Sequence, residues 1–356
     1  MFNDFYHGKR VFVTGHTGFK GAWLCKLLVR LGAVVTGYSL RPPTDPSLFD
    51  LAGIDRTVHS IIGDIRDRVG LRAGFDAARP EIVFHLAAQP IVRDGYKEPA
   101  YTYETNVMGT VNILECIRTS DCVRSFLNVT TDKVYLNREW EWGYRESEEL
   151  NGFDPYSNSK SCSELVTQCY RRSFFSPCDG KESVPVSTAR AGNVIGGGDF
   201  AADRIIPDCV RAAMNHRDII VRNPSSTRPY QHVLEPLCAY LMIAAGQYEN
   251  HKLAGEYNVG PDESGCAQTG ALVDLFVEKW GDGLRWSSPC EAGPHEAAFL
   301  KLDSSRLKAV FGWNPRWDLE ESVEKVVEWS KCWLAGGDIG ACMDAQIMEF
   351  CSWRGK

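Results

Sequence analysis

The feature that most constrains this chain is a glycine-rich turn near the N-terminus, between an apolar run and a helical segment. The apolar run 10–14 is followed by Gly15-His16-Thr17-Gly18-Phe19-Lys20-Gly21, with glycines at the spacing G-x-x-G-x-x-G. The first glycine permits a tight turn, the second lets the backbone approach a pyrophosphate, and the third lets helix and strand pack closely. Free N–H groups and the positive dipole end of the next helix favour phosphate. The turn therefore predicts a dinucleotide site, the alternative being a glycine-rich turn without a ligand.

The pattern after this turn predicts the fold class. Short apolar runs alternate with longer periodic segments, which is typical of a parallel sheet built from βαβ units. Further strands are predicted at 34–38, 59–62, 82–85, 125–129 and 185–189, one long helix over 98–119, and another from Pro155 to about Phe175. The predicted fold is α/β, a Rossmann-type doubly wound parallel sheet with a smaller, mixed α/β lobe.

Glycine and proline interrupt the pattern after Gly192, and this change predicts a second lobe. An apolar helix from Val233 to about Gln247 is predicted to return to the first lobe. The predicted dinucleotide-binding domain is therefore 1–191 plus about 233–260. The predicted substrate-binding lobe is 192–232 plus about 261–356.

Composition argues against several kinds of partner. A net charge of -7 over 356 residues leaves no concentrated basic face for nucleic acid. No apolar run is long enough to span a membrane, and residues 1–10 lack a signal-peptide core, so we expect a cytoplasmic protein. The thirteen cysteines include no Cys-x-x-Cys pair or Cys/His cluster at zinc spacing, so no metal site is predicted.

A tyrosine and a lysine four residues apart, Tyr156 and Lys160, lie on one face of the helix that Pro155 opens. A nearby cation lowers the pKa of a tyrosine, so that the phenolate can remove a hydroxyl proton while hydride leaves the same carbon. Such pairs also arise by chance on solvated helices. Combined with the glycine turn and the strand end Thr130-Thr131, this pair predicts a nicotinamide-dependent site.

The predicted cofactor is NAD, with NADP left open. An NAD site often has an acidic residue at the end of the second strand. Here that position holds Tyr38-Ser39-Leu40-Arg41, without a carboxylate, and Arg41 is placed to face a 2′-phosphate. Asp64, which precedes Ile65 after the third strand, is placed to accept from the adenine amino group. A solvated loop aspartate is the alternative.

Several separated motifs make the chain resemble extended short-chain dehydrogenase/reductases of the NAD-dependent epimerase/dehydratase family. They are the glycine turn, His85-Leu86-Ala87-Ala88, Asn106, Thr130-Thr131 and the Tyr156/Lys160 pair. The resemblance implies that Thr131 bonds a sugar 4-hydroxyl, that Tyr156 is the base, and that Lys160 tunes it and holds the nicotinamide ribose while Asn106 orients the lysine. The implied cofactor-binding residues are Gly15, His16, Thr17, Gly18, Phe19, Lys20, Gly21, Asp64, Ile65, Leu86, Ala87, Ala88, Asn106, Tyr156 and Lys160.

The tripeptide Thr131-Asp132-Lys133 narrows the implied reaction. Related sugar 4-epimerases usually have small neutral residues here, and dTDP-glucose dehydratases usually have Asp-Glu. Asp-Lys resembles the CDP-glucose 4,6-dehydratases, as does the segment from Gln231 to Pro236. The resemblance thus implies CDP-glucose as substrate and a lyase reaction, in which C4 is oxidised, C5 loses a proton and C6 loses its hydroxyl. Catalytic roles are implied for Thr131, Asp132, Lys133, Tyr156 and Lys160.

The resemblance also implies substrate contacts and an assembly. The substrate-binding residues it implies are Gln89, Asn193, Arg204, Arg228 and Glu296. Tyr230 stands where that branch usually has tryptophan. The helices near 98–119 and 155–175 are expected to pair in a homodimer or higher homo-oligomer. The alternatives are a nucleotide-sugar 4-epimerase, a 4,6-dehydratase for another nucleotide, and a non-catalytic dinucleotide sensor.

Overall fold

A computed structural model describes residue 2 and residues 4–175, 184–288 and 299–352 of the chain. The strands are β1 Arg10–Thr14, β2 Val34–Ser39, β3 His59–Ile62, β4 Ile82–His85, β5 Ser125–Thr131, β6 Val186–Ala191, β7 Asn193–Ile195, β8 Ile219–Ile220, β9 Thr227–His232, β10 Glu256–Val259, β11 Cys266–Gln268 and β12 Trp286–Ser287. Seven of them form a parallel sheet in the order β10-β6-β5-β4-β1-β2-β3.

The helices connect these strands. They are α1 Phe19–Arg30, α2 Leu48–Leu51, α3 Arg68–Ala78, α4 Val92–Lys97, α5 Pro99–Tyr103, α6 Gly109–Arg118, α7 Pro155–Ser173, α8 Ile205–Met214, α9 Leu234–Glu249, α10 Thr269–Trp280, α11 Ser305–Phe311, α12 Leu319–Leu334 and α13 Ile339–Ser352. Short 3₁₀ turns lie at Ile54–Arg56, Asp132–Val134, His251–Leu253 and Glu263–Gly265. A π-helical turn, Glu104–Met108, joins α5 to α6.

The large sheet is buried on both faces, which explains its nearly continuous apolar strands. Side chains alternate between faces along a strand. Val11 and Val13 of β1 belong to the core cluster that also contains Trp23 of α1 and Tyr240 of α9. Phe12, between them, belongs to a second cluster with residues of α3 and α6. The alternation therefore gives each face of the sheet its own hydrophobic core.

The strand order reverses direction beside β1, since β2 lies on one side of it and β4 on the other. Ligands of open α/β sheets bind where the order reverses, outside the carboxyl ends of the strands. The glycine turn, residues 15–21, follows β1, and Leu86–Ala88 follow β4. The fold thus brings two of the predicted cofactor-binding segments to one edge.

A smaller set of elements packs around its own core. A three-stranded sheet, β11-β9-β7, and a two-stranded pair, β12-β8, lie beside α8, α10 and α12. Their core contains side chains from all three helices, including Ile206, Phe276 and Val326. Between β9 and β11 in the sequence, the chain returns to the large sheet, where α9 packs against β5 and β10 pairs with β6.

The predicted α/β fold class is confirmed, and differences lie in detail. Strand β5 runs two residues further than predicted, through Thr131, and β10 is a seventh strand that the pattern did not predict. The helix predicted over 98–119 contains the π-helical turn. The domain limits given above stay a prediction. In the described residues, no helix is both long and apolar enough to cross a membrane.

Candidate active site

The glycine turn closes against the end of β4. Gly15 has φ +78°, and a Cβ there would lie 2.8 Å from the Ala87 backbone nitrogen. A Cβ at Gly21 would overlap the Gly15 carbonyl oxygen, whereas a Cβ at Gly18 would meet no other atom closer than 3.5 Å. Helix α1 then begins without a side-chain cap, which leaves its first N–H groups for a ligand. An open backbone surface at an uncapped helix start fits a pyrophosphate.

Side chains of the turn hold it in place. His16 Nε2 lies 2.7 Å from Ser60 Oγ, and Thr17 Oγ1 donates to the Leu40 carbonyl oxygen at 2.9 Å. Burial lowers the pKa of His16 to about 4, so its ring stays neutral. Both side chains therefore bond to strands β2 and β3 or the segments beside them. The sequence predicts both residues as cofactor ligands. In the structure, their side chains anchor the glycine turn.

The Tyr156/Lys160 pair lies beside the end of β5. Lys160 Nζ is buried and donates to the Val129 carbonyl oxygen at 3.1 Å, and burial lowers its pKa to about 8. Burial raises the pKa of Tyr156 to about 12, with a hydrogen bond to Thr131 acting in the opposite direction. The predicted lowering of the tyrosine pKa is thus wrong for the protein alone, because burial outweighs the Thr131 hydrogen bond and the Arg204 cation.

Asp132 and Lys133 follow in the same segment. Asp132 is 1% exposed, and its Oδ1 accepts from Thr131 Oγ1 at 2.9 Å. Its Oδ2 has no hydrogen-bond partner within the described residues. Burial raises the pKa of the Asp132 carboxyl, against the opposing effect of the Lys133 cation. A carboxyl that retains its proton is suited to act as a general acid.

A cleft of about 270 Å³ lies between the large sheet and the smaller elements. Its lining includes the predicted residues Thr131, Asp132, Lys133, Tyr156, Phe19, Lys20, Asn193, Arg204 and Arg228. Six of its lining residues are cationic and four are aspartates, although the whole chain carries a net charge of -7. The cationic residues are Lys20, Arg93, Lys133, Arg204, Arg222 and Arg228. The cleft is therefore a local site for an anion in an acidic protein.

The cations near the inner part of this cleft are crowded. Lys20 lies in the first turn of α1, and burial, followed by the Arg204 cation, lowers its pKa to about 8. Arg204 Nη1 donates to Asp199 Oδ2 at 2.8 Å. Arg228 is 6% exposed, and its Nη1 donates to the Thr227 carbonyl oxygen at 3.0 Å. A bound dianion would relieve the repulsion among these groups.

Asn106 and Gln89 are hydrogen-bonded to each other. Asn106 Nδ2 donates to the Gln89 carbonyl oxygen at 3.1 Å and to Ser159 Oγ at 2.8 Å, and its Oδ1 accepts from the Gln89 N–H. It makes no hydrogen bond to Lys160 among the described residues, and Ser159 Oγ in turn donates to the Tyr156 carbonyl oxygen at 2.7 Å. Gln89 bonds Thr102 and the Ile91 N–H, and it does not line the cleft.

Comparison with known proteins shows which family the chain belongs to. A model of the family described as GDP-mannose 4,6 dehydratase matches residues 12–326. A CDP-glucose 4,6-dehydratase of Salmonella typhimurium (strain LT2) is 48% identical over 351 residues, 98% of this chain and 98% of that protein. The chain belongs to the GDP-mannose 4,6-dehydratase family. Membership in this dehydratase family confirms the predicted kind of enzyme, a lyase.

More distant similarities extend to solved structures. A probable dTDP-glucose 4,6-dehydratase of Sinorhizobium fredii is 25% identical over 339 residues, covering 90% of this chain and 92% of that protein. A UDP-glucose 4-epimerase of Thermotoga maritima, solved with UDP-glucose, superposes with a TM-score of 0.77 at 22% identity, covering 91% of this chain and 99% of that chain. A dTDP-glucose 4,6-dehydratase of Bacillus anthracis, solved with NAD, gives 0.75 at 18%, covering 91% and 97%. The similarity to these solved structures confirms the Rossmann-type fold of this chain.

The remaining predicted residues of this dehydratase-family chain lie outside the cleft or outside the described residues. Asp64 pairs with Arg66, whose guanidinium hydrogen bond lowers the carboxyl pKa. The Ile65 side chain is buried in the core, and Gly109 packs against it. Glu296 lies outside the described residues.

Sequence reasoning missed a buried ion pair behind the site. Arg190 Nη2 donates to Glu164 Oε2 at 2.8 Å, and both side chains are fully buried. Glu164 also accepts from Thr130 and Thr188, and Arg190 donates to Tyr135. Glu164 lies on α7, four residues after Lys160, and Thr130 lies on β5. The Glu164–Arg190 ion pair and its hydrogen bonds therefore connect α7 to β5. The spacing of Lys160 and Glu164 was visible in the sequence, but the contact between Glu164 and Arg190 of β6 was not.

Proposed function

We propose that the protein is a CDP-glucose 4,6-dehydratase, which converts CDP-glucose to CDP-4-keto-6-deoxyglucose and water. The observation that carries the proposal is the buried Asp132, whose carboxyl Oδ2 has no partner in the described residues, beside Thr131, Lys133 and Tyr156 in one cleft. A 4-epimerase has no use for an added acid and base at that position. The 48% identity with a CDP-glucose 4,6-dehydratase supports the same choice.

The cofactor that we propose is NAD. The glycine turn and the start of α1 would hold its pyrophosphate, and Tyr156 and Lys160 its nicotinamide ribose. When bound, NAD supplies a hydride acceptor for C4 of the sugar and a hydride donor for C6. The solved dTDP-glucose 4,6-dehydratase of similar fold contains NAD, which supports this choice.

The residues of the chain supply the proton transfers. Tyr156 accepts the proton of the 4-hydroxyl, which Thr131 helps to orient, as a phenolate that the positive charge of a bound nicotinamide would favour over the neutral phenol of the protein alone. The resulting ketone acidifies the C5 proton, which Lys133 removes in its neutral form. Asp132 donates its proton to the departing C6 hydroxyl, which leaves as water. After C6 is reduced, the ammonium of Lys133 returns a proton to C5.

The proton count closes through Thr131. Over one turnover Asp132 loses a proton and Tyr156 gains one. The Thr131 hydroxyl donates to Asp132 Oδ1 and interacts with the Tyr156 phenol, whose pKa it lowers. A transfer along this chain of hydroxyls restores both groups without bulk solvent.

The substrate diphosphate is proposed to lie among Lys20, Arg204 and Arg228. Guanidinium groups match phosphate oxygens in a bidentate geometry, and a lysine at a helix start lacks favourable dipole interactions unless an anion is bound. Asn193, from β7, lines the same part of the cleft. An anion here would neutralise the local excess of positive charge.

One experiment tests the substrate and the reaction together. The purified protein is incubated with CDP-, dTDP-, UDP- and GDP-glucose, and the products are analysed by mass spectrometry. We expect loss of one water from CDP-glucose alone. Conversion of CDP-glucose to CDP-galactose without loss of mass would establish the epimerase, and water loss from another nucleotide would reassign the base.

We also propose the two-lobe division stated above and a homodimer built on α5, α6 and α7. Met108 and Leu165 are half exposed on the π turn before α6 and on α7, respectively. Exposed apolar side chains on neighbouring helices favour a helix-to-helix interface. Light scattering of the wild type and of Leu165→Glu tests it, because a charge in the interface is expected to give monomers.

A further inference from the structure

Three charged side chains meet at the outer end of the cleft. Arg222 Nη1 donates to Asp203 Oδ1 at 2.9 Å, and Arg93 Nη1 lies 3.3 Å from the same oxygen. Arg93 lies in the first turn of α4, beside the large sheet, whereas Asp203 precedes α8 and Arg222 follows β8 in the smaller set of elements. We call these three residues the mouth cluster. It bridges both sides of the cleft with one carboxylate and two cations.

The mouth cluster keeps hydrogen-bonding capacity. Both arginines approach Asp203 Oδ1, while Oδ2 makes no hydrogen bond within the described residues. Arg93 Nε is buried and also lacks a partner in the described part of the chain. The hydrogen bond from Arg222 lowers the Asp203 pKa, so the carboxylate stays ionised at neutral pH. Asp203 also has φ +61°, an unusual conformation for a residue other than glycine.

The exposed fractions of the lining side chains indicate that the mouth cluster lies at the outer end of the cleft. The side chains of Arg93, Asp203 and Arg222 are 30%, 31% and 36% exposed. Thr131 and Asp132 at the other end are 7% and 1% exposed. This inference rests on the proposed function, in which the sugar reacts at the buried end. The diphosphate then lies in between, and the nucleoside extends towards the mouth.

We propose that the mouth cluster recognises the cytosine base and so determines nucleotide specificity. Asp203 Oδ2 accepts from the N4 amino group, as carboxylates do with cytosine, and the guanidinium groups donate to N3 and O2. Uracil and thymine present a carbonyl oxygen at position 4 and an N–H at position 3. Either base would place O4 against the Asp203 carboxylate and the N3–H donor against an arginine guanidinium, so both bases are rejected.

The test compares CDP-glucose with UDP-glucose, which differ only at positions 3 and 4 of the base. The ratio of their kcat/KM values is measured for the wild type and for Asp203→Asn. Asparagine tolerates positive φ and donates to O4 of uracil, so the ratio is expected to fall about 10- to 100-fold. Dissociation constants of CDP and UDP, measured by calorimetry, are expected to change in the same direction without any turnover.

Two further variants complete the design. Asp203→Gly, which also suits positive φ, removes the carboxylate and is expected to lower the ratio even if the asparagine variant is poorly folded. Asp121→Asn makes the same chemical change in an exposed pair with Arg79 and is expected to leave the ratio unaltered. An equal loss for both nucleotides in the Asp203 variants would mean that the cluster only latches the cleft, and the proposal fails. If the wild type dehydrates no CDP-glucose, the proposed function fails, and the CDP and UDP affinities still decide the specificity.

Discussion

The two ends of the cleft are built on different physical principles. At the inner end, Asp132, Tyr156 and Lys160 have pKa values shifted by burial, towards the neutral form in each case. At the mouth, Arg93, Asp203 and Arg222 are about one-third exposed and form ion pairs with one another. Burial controls which inner group holds a proton, whereas charge and hydrogen-bond direction control what the mouth accepts. Substitutions inside should therefore change the rate of chemistry, and those further out should change affinity and choice of substrate.

The largest expected effect is at the inner end. Tyr156→Phe removes the group that accepts the 4-hydroxyl proton, and kcat is expected to fall roughly 10⁴-fold, the upper range for acid–base catalysis. Binding of NAD, followed by fluorescence, is expected to survive. Tyr96→Phe, which removes a phenol hydroxyl from an exposed side chain, serves as the control. Appreciable turnover by Tyr156→Phe would show that the base is another group.

The next largest effect is expected on stability, at the buried Glu164–Arg190 ion pair behind the inner end of the cleft. Glu164→Gln leaves the Arg190 charge buried without its counter-ion, which is expected to lower the free energy of unfolding by about 3–5 kcal/mol. Asp121→Asn breaks an exposed ion pair and is expected to cost at most about 1 kcal/mol. Urea unfolding curves measure both. Equal losses would mean that burial does not distinguish the two ion pairs.

Asp132 and Lys133 are expected to act in the elimination of water, whereas Tyr156 acts in the preceding oxidation of C4. Lys133→Met is expected to oxidise C4 but to slow water loss roughly 10²- to 10³-fold, and Asp132→Asn somewhat less because water can replace the acid. A single-turnover absorbance trace with CDP-glucose would then show reduced nicotinamide accumulating. Lys252→Met, an exposed lysine, is the control. Unchanged water loss in Lys133→Met would remove that lysine from the mechanism.

Between the two ends, Arg228 should affect affinity. A diphosphate contact is equal in the ground and transition states, so Arg228→Ala is expected to raise KM about tenfold with little change in kcat. Steady-state kinetics with CDP-glucose measure this split. A fall in kcat at constant KM would instead assign Arg228 to the inner end.

The last expected effect is on the pH dependence of stability and not on activity. Burial lowers the pKa of His85 to about 3, so its neutral form contributes stability above the usual pKa of 6.5, and this is lost as the pH falls towards 3. The instability of His85→Asn relative to wild type is therefore expected to shrink between pH 6.5 and 4. Urea unfolding at several pH values tests this, with the exposed His59→Asn as control. A constant difference would mean that His85 titrates alike in both states.

Sequence reasoning succeeded where the information is local. The glycine turn, the strand before it and the Tyr156/Lys160 spacing lie within short segments, and the confirmed fold follows from their order. Contacts between distant segments were not predictable. Arg93 meets Asp203 across 110 positions, and Glu164 meets Arg190 through two different elements. The tyrosine pKa was mispredicted for the same reason, because spacing reveals a neighbouring charge but not the burial that outweighs it.

The π-helical turn Glu104–Met108 sets limits on how this part of the chain can change in length. Each residue of an α-helix advances by about 100°, so an extra residue in one turn rotates everything beyond it by that angle. Asn106 sits inside the turn, and Thr110, one turn later, bonds Ser163 of α7. Deleting a single residue here would leave a regular helix whose two halves are out of phase. The segment should therefore not accept a one-residue deletion, since its length fixes the angle between the helix faces on either side of it.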